Sequence, residues 1–385
     1  MAFQHYPTSK TFSNFFESEK SSGIVLIFCT LISLVIANSV FGQGYAGVWR
    51  ATFAGMSIEH WVNDGLMAIF FLFIGLELER ELYNGELSNF KNALLPIAAA
   101  LGGIACPALI HFALNSGTDT QAGMGIPMAT DIAFALGVLA LLGSRVPISL
   151  KIFLTALAVM DDLGAIIVIA IFYTAKVSML YLMGVVLVLV VLILCNKVFR
   201  VMLLAPYLIG GALMWFFMLK SGVHATITGV LLAFVIPFSA KADDEESPSH
   251  RLEHILHKPV AFIILPIFAL ANTGVVLGST WAQDLASTNS IGIALGLLVG
   301  KPLGITLFCF MAVSLGLCKL PQGLGWKSIF GAGLLGGIGF TMSIFITNLA
   351  FAGANEIITA SKIAVLLASL TAGTLGFLWL RFLPK

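Results

Sequence analysis

Two aspartates, Asp161 and Asp162, stand side by side in the apolar stretch TALAVMDDLGAIIVIAI, at residues 155 to 171. Carboxylate oxygens are hard ligands that suit hard cations, and they also bind protons. Two such groups beside one cavity can hold either an alkali cation or protons. A site with two competing occupants exchanges one ion for the other, so the chemistry indicated here is ion exchange.

Two further ionisable residues, Asp131 and Lys301, fall deep inside other apolar runs, whereas Asp64 and His224 lie nearer to the ends of theirs. An acid or a lysine costs roughly 2.5 to 3.5 kcal/mol at the centre of a membrane helix. A structural salt bridge would offset part of this cost, but one lysine cannot neutralise three carboxylates. The other acids must be protonated, hydrated or bound to a cation.

For His224 a structural role is the first interpretation and a pH-linked role the second.

The composition indicates which elements position these residues. Of 385 residues, 59% are hydrophobic and 10% are charged, and the mean hydropathy is +1.00, whereas soluble chains carry roughly a quarter charged residues. This composition predicts an all-α polytopic membrane protein. The formal net charge of +1 and the lack of a basic domain argue against nucleic-acid binding. Five scattered cysteines predict neither disulfides nor a metal cluster, and we expect no cofactor.

A membrane helix needs about 20 apolar residues, and the sequence predicts twelve of them, called spans 1 to 12 in chain order. Their windows are 23–41, 61–82, 93–114, 121–142, 149–172, 177–195, 201–219, 222–238, 259–278, 290–315, 328–350 and 358–380. We expect one membrane domain over residues 1–385. Residues 1–22 are predicted to be a cytoplasmic N-terminal segment and residues 239–258 a charged cytoplasmic loop.

The distribution of basic residues predicts the orientation. With a cytoplasmic N-terminus, the outer segments hold only Arg50, Lys176, Lys220 and Lys362, and Lys301 lies within a span. The other fifteen of the 20 lysines and arginines then fall on the inner side. Basic residues are enriched in cytoplasmic segments, so both termini are predicted to be cytoplasmic.

Spans 4 and 11 carry the residues that interrupt helices. Span 4 reads GMGIPMATDIAFALG and span 11 reads GAGLLGGIGFTMSIF. Close helix packing explains glycines in either span alone. Together they occupy the middle of two triplets, spans 3-4-5 and 10-11-12, which run in opposite directions. Such paired interruptions are typical of inverted-topology repeats whose discontinuous helices cross at a transport site. Asp131 and Lys301 have the charges needed to balance the partial charges at broken helix ends.

Six stretches together resemble the NhaA family of bacterial sodium/proton antiporters, from span 1 to span 12. They are WVNDGLMAIFFLFIGLELERE at 61–81, PMATDIAFALG at 127–137, ALAVMDDLGAI at 156–166, SGVHATITGV at 221–230, LLVGKPLGI at 297–305 and GIGFTMSIFI at 337–346. The resemblance implies a multi-pass transporter of the bacterial inner membrane. Such a protein works by alternating access and serves sodium and pH homeostasis. It expels Na+ or Li+ in exchange for more than one proton and is therefore electrogenic.

The resemblance also implies roles for individual residues. Asp161 and Asp162 would bind the cation and the protons, and Asp131 and Thr130 would lie where the broken helices cross. Lys301 would balance charge and could be linked to proton movement. Which aspartate pairs with Lys301, and whether this lysine carries a transported proton, stays open.

Members of this family are activated at alkaline pH, and their pattern places a charged cluster at the cytoplasmic mouth. The matching residues are Glu77, Arg80, Glu81, Glu253, His254 and His257. Histidine titrates in the relevant pH range, but ordinary charged helix ends explain the cluster equally well. The sequence leaves open the selectivity among Na+, Li+ and K+, and also the pH set-point.

The expected partners are sodium or lithium ions, protons and membrane lipids. The resemblance also implies a homodimer built on a hairpin, but residues 42–60 show no clear strand-turn-strand pattern. An intramembrane aspartyl protease is disfavoured because no G-x-G-D stretch occurs, and a cation channel because no repeated filter occurs. A cation/solute symporter is the main alternative, although the midplane residues include no aromatic cage or buried arginine.

Overall fold

The computed structural model describes residues 10–174, 177–239, 247–278 and 281–383. Helices dominate because backbone N–H and C=O groups in apolar surroundings have no water partner, and a helix pairs them internally. The α-helices are α1 (Lys10–Ala37), α2 (Gly42–Arg50), α3 (Ile58–His60), α4 (Met67–Asn84), α5 (Phe90–Asn115), α6 (Ile132–Leu141), α7 (Ile148–Phe172), α8 (Met179–Lys197), α9 (Leu204–Ser221), α10 (Ile227–Ala233), α11 (Pro248–Pro259), α12 (Leu265–Thr273), α13 (Trp281–Leu285), α14 (Thr288–Leu295), α15 (Lys301–Ser314), α16 (Trp326–Gly336), α17 (Phe340–Ala350) and α18 (Asn355–Phe382). Wider π-helical turns at Trp61–Leu66, Val260–Ile264 and Gly296–Gly300 join several of them into longer rods.

The described ranges contain nine helical segments long and apolar enough to cross a membrane, or up to eleven if two bent pairs each count as one crossing. The protein is therefore an all-α polytopic membrane protein, as predicted. The window at 222–238 differs from the prediction because its helix, α10, has only seven residues. Gly222, with φ of +86°, ends α9 in the left-handed region, and turns surround α10. An apolar run can be long enough without being one helix.

Residues 42–60 contain a β-hairpin, although their sequence shows no clear strand-turn-strand pattern. Strand β1 (Thr52–Phe53) pairs antiparallel with β2 (Met56–Ser57). The turn residues Ala54 and Gly55 both have positive φ, +50° and +86°, as a tight two-residue hairpin turn requires. Each strand has two residues, which is too short for alternation of polar and apolar side chains to be visible in the sequence.

The predicted loop at 239–258 is partly helical. Helix α11 begins at Pro248, after Ser247, whose side chain accepts a hydrogen bond from the backbone N–H of His250. The same rod continues through Thr273, so the second half of the predicted loop is the first part of span 9. Likewise α1 starts at Lys10 within the predicted N-terminal segment. Residues 1–9 and 240–246 lie outside the described ranges.

A contact between two glycines brings α5 and α15 together. A Cβ atom on Gly102 would lie 2.2 Å from the carbonyl oxygen of Gly304, and a Cβ on Gly304 would lie 2.2 Å from that of Gly102. Only hydrogen side chains permit this approach, which is a common way to pack membrane helices. The contact lies one helical turn from Lys301 and holds its helix against α5.

Candidate ion-binding site

The apolar run of span 4 is interrupted in its middle. A 3-10 helix covers Gln121–Met128, the next residues are extended, and α6 begins after Asp131. Asp131 caps α6, because its side chain accepts a hydrogen bond of 3.0 Å from the N–H of Phe134. Aspartate is a favoured residue at this position, and its carboxylate faces the positive end of the helix dipole.

Span 11 is interrupted as well. Helices α16 and α17 meet at an angle of 49°, with Gly337 to Gly339 between them. A Cβ atom on Gly337 would lie 2.4 Å from the carbonyl oxygen of Leu297. A glycine is therefore needed for the break to approach the neighbouring span 10.

The two interruptions are bound to each other. The N–H of Asp131 donates to the carbonyl of Ile338 over 2.7 Å, and the hydroxyl of Thr130 donates to the carbonyl of Gly336 over 2.9 Å. The N–H of Thr341 donates to Oδ2 of Asp131 over 3.1 Å, and the Thr341 hydroxyl donates to the same oxygen. The Asp131 carboxylate thus meets the N-terminal ends of both α6 and α17, where partial positive charge is exposed.

Lys301 lies beside this junction and is fully buried. Pro302 has no N–H to give to the preceding turn, and that turn, Gly296–Gly300, is a π-helix. The ammonium of Lys301 donates to the Thr130 hydroxyl over 2.7 Å and forms an ion pair with Asp161. The structure therefore identifies Asp161 as the aspartate that pairs with the lysine.

Asp162 has a different environment from its neighbour. Both aspartates lie on the unbroken helix α7, where successive side chains point about 100° apart. Asp162 is fully buried, and within the described residues neither of its carboxylate oxygens has a hydrogen-bond partner. A buried ionised carboxylate without a partner is very costly, so Asp162 requires a proton or a cation.

Two adjacent cavities lead to Asp162. The inner one, about 10 Å³ and thus near the size of one water molecule, is lined by Asp131, Asp162 and Thr341 among others. The second, about 30 Å³, is lined by Glu77 and His257 among others. Both cavities share Phe70, Ile132, Ala133 and Leu265. The two cavities thus extend from the Glu77 end of the molecule to Asp162.

Part of the predicted mouth cluster is assembled at that end. Arg80 contacts Glu81 and Glu253 with N···O distances of 2.9 Å and 2.8 Å, and Glu77 at 3.7 Å. The guanidinium group thereby joins α4 to α11. His257 lines the same cavity as Glu77, whereas the side chain of His254 is exposed.

The predicted cation ligands do not surround one point. Asp161 is engaged by Lys301 and Asp131 by Thr341, and within the described ranges no three His, Cys, Asp or Glu side chains converge as ligands of one metal ion. Of the three predicted aspartates, Asp162 is therefore the one whose carboxylate is not engaged by another described side chain in this conformation. Thr341 was not predicted, although it lies two residues after Gly339 in the break of span 11. His224 contacts the backbone carbonyl of Tyr173 over 2.7 Å, which fits a structural role.

Comparison with known proteins shows the family. The model of the family described as "Na+/H+ antiporter 1" matches residues 13–380. The chain belongs to the Na+/H+ antiporter 1 family. A relative from Dechloromonas aromatica is 72% identical over 100% of this chain and 99% of its own length, and one from Cytophaga hutchinsonii is 60% identical over 98% and 96%. A relative from Vibrio campbellii is 50% identical over 97% and 95%. All three are named Na(+)/H(+) antiporter NhaA.

Membership of the Na+/H+ antiporter 1 family agrees with the fold. It classes the chain among transporters and not among enzymes, and the apolar helices make it a multi-pass membrane protein. The relatives match along nearly their full length, and the buried acids, the interrupted spans and the Arg80 cluster all lie within the matched region.

Proposed function

We propose that this protein is an electrogenic Na+(Li+)/H+ antiporter of the bacterial inner membrane, regulated by pH. The observation that carries the proposal is Asp162, a buried acid whose two carboxylate oxygens have no partner within the described residues and which lines the inner cavity. The names of the relatives agree with the proposed substrates. Na+ and Li+ are substrates of this site and not resident cofactors.

Exchange follows from competition at Asp162. With a proton, the carboxyl is neutral and tolerates its dry surroundings. With Na+, the carboxylate is neutralised by the metal, and oxygens of Thr341 and Asp131 line the same cavity. Each occupant must leave before the other binds, so alternating access couples the two ions.

Moving more than one proton per cation needs a second titrating group. The ion pair of Lys301 with Asp161 is the nearest candidate, since its partners share the junction with Asp131 and Thr130. When a cation approaches Asp162, it repels the ammonium and weakens this pair. We therefore assign the second proton to the Lys301–Asp161 pair as a unit.

The exchange activity is tested in reconstituted vesicles. We expect Na+ or Li+ added on the transport side to release protons from acid-loaded vesicles, and we expect a transmembrane current in the same preparation. K+ is tested in parallel to measure the selectivity, and choline serves as the control cation. Full exchange without any current would contradict the electrogenic mechanism, and proton movement independent of Na+ and Li+ would contradict the antiport itself.

The finer architecture is also part of the proposal. We infer twelve spans with both termini cytoplasmic, and inverted repeats formed by spans 3-5 and 10-12, whose interrupted middle spans are bound together at Asp131. The hairpin formed by β1 and β2 supports a homodimer, because Phe53 is 69% exposed there. Apolar side chains exposed along α8 fit contact with lipids.

Activation by pH is assigned to the charged residues near Arg80. Replacing Arg80 with Gln leaves Glu77, Glu81 and Glu253 without their shared cation, so these acids become harder to deprotonate. We expect the pH profile of exchange to move to higher pH. Rates measured in vesicles from about pH 6 to 9 check this. Arg145→Gln is the control, because the guanidinium of Arg145 donates to a backbone carbonyl, that of Arg381, and lies outside the Arg80 cluster. An unchanged profile for Arg80→Gln would remove the assignment.

A further inference from the structure

Three asparagines form a hydrogen-bonded relay at the end of the molecule opposite Arg80. The side chain of Asn348 on α17 donates to Oδ1 of Asn272 on α12 over 2.7 Å. Asn272 in turn donates to Oδ1 of Asn63 over 2.8 Å. The relay therefore ties span 11 to spans 2 and 9.

A layer of aromatic rings separates this relay from the ion site. The ring of Phe345 contacts those of Phe71 and Phe268, with centroid distances of 5.6 Å and 6.4 Å. Residues four and seven positions apart share one helix face, so Thr341, Phe345 and Asn348 follow each other along α17. Moving along α17 away from the ion site, the helix therefore first packs through the ring of Phe345 and then hydrogen-bonds through the amide of Asn348.

The other end is less closed. The two cavities reach from Glu77 and His257 to Asp162. Asn63 and Glu77 belong to the same span, fourteen residues apart, which corresponds to about 20 Å along a helix. The relay thus lies on the far side of the site from these two cavities.

We propose that Asn63, Asn272 and Asn348 form the outer gate of the transporter, and that their hydrogen bonds set how often the site opens outward. This inference rests on the proposed exchange function. For the site to release an ion outward, α17 must separate from spans 2 and 9, which breaks the contact of Asn348 with Asn272. The contact of Asn63 with Asn272 holds the amide that accepts from Asn348 in place. Uncharged amides suit such a gate because water replaces their hydrogen bonds at modest cost.

The variant Asn348→Ala tests the gate. Losing one such hydrogen bond changes an equilibrium by about 2- to 10-fold, and apparent affinity scales with the fraction of molecules in the competent state. We expect the apparent KM for Na+ measured from the outer face to fall by this factor, while the KM from the cytoplasmic face changes little. Vesicles of both orientations give the two values.

Hydrogen–deuterium exchange supplies a readout that does not depend on transport. We expect faster exchange in Phe340–Ala350 and Ile58–Leu66 for Asn348→Ala and for Asn63→Ala. If the wild-type chain transported no Na+, the proposed function would fail. The rates of hydrogen–deuterium exchange would still report on the gate.

Asn38→Ala is the matched control. Asn38 is also an amide at this end and bonds to Val275 and Leu277, and none of its hydrogen bonds to the described residues reaches α17. We expect it to lower thermal stability without changing the ratio of outer to cytoplasmic KM. The gate is refuted if Asn348→Ala and Asn63→Ala leave unchanged both the ratio of outer to cytoplasmic KM and the hydrogen–deuterium exchange rates of α17. It is also refuted if Asn38→Ala shifts the KM ratio by the same factor.

Discussion

Replacing Asp162 with Asn should abolish cation/proton exchange while leaving the protein folded. Asparagine keeps the size of the side chain but can neither ionise nor release a proton, so the competition between the two ions disappears. We expect Na+-dependent proton movement to fall to the background of vesicles without the protein, because an acid inside a span marks the ion pathway. Thermal stability should stay the same or rise, because the unpartnered carboxyl oxygens of Asp162 make no contact that the substitution would break.

Calorimetry in buffers of different ionisation enthalpy checks the mechanism directly. Na+ binding should release protons from the wild-type protein and none from Asp162→Asn. Glu79→Gln is the matched control, since Glu79 is a buried acid that accepts a hydrogen bond from Ser249 and lines neither cavity. Near-normal exchange by Asp162→Asn, or equal losses in both variants, would disprove the assignment of the site.

Replacing Lys301 with Ala should strongly destabilise the protein. The substitution leaves Asp161 buried without its cation and removes the donor to Thr130. Removal of one partner of a buried ion pair costs about 3–5 kcal/mol, and protonation of Asp161 offsets part of this loss. We expect a clear decrease in the midpoint of thermal unfolding in detergent, and an altered pH dependence of exchange.

A second substitution separates the ion pair from simple packing. Asp161→Asn added to Lys301→Ala removes the uncompensated acid, so part of the lost stability should return. Lys362→Ala is the control, because Lys362 is 7% exposed and forms no ion pair among the residues that the structure describes. If Lys301→Ala melted at the wild-type temperature, the charge-balance role would be wrong.

The sequence located the buried charged residues better than it located their partners. A buried acid is visible in a sequence because charge is expensive in an apolar run, and a helix break is visible because glycine and proline mark it. The pairing of Lys301 with Asp161 depends on how α7 and α15 are rotated about their axes. That rotation is set by packing, including the approach of Gly304 to α5, and no local pattern reports it.

Two elements show where local reasoning failed. The window at 222–238 has the hydropathy of a span, yet its helix ends after seven residues, because the turns around it depend on neighbouring helices. The hairpin at Thr52–Ser57 was missed because two-residue strands carry no alternation. The gate asparagines were also not singled out, since a single amide near a span end is common and only the fold brings three together.

The contact between Gly102 and Gly304 has a consequence for how this protein tolerates mutation. A methyl group at either position would collide with the opposing backbone and push α15 outward. Lys301, one turn away on that helix, would then be pulled from its acidic partner. An electrostatic property of the transporter is thus controlled by two residues that have no side-chain heavy atoms, and alanine, usually the mildest replacement, would be among the harshest there.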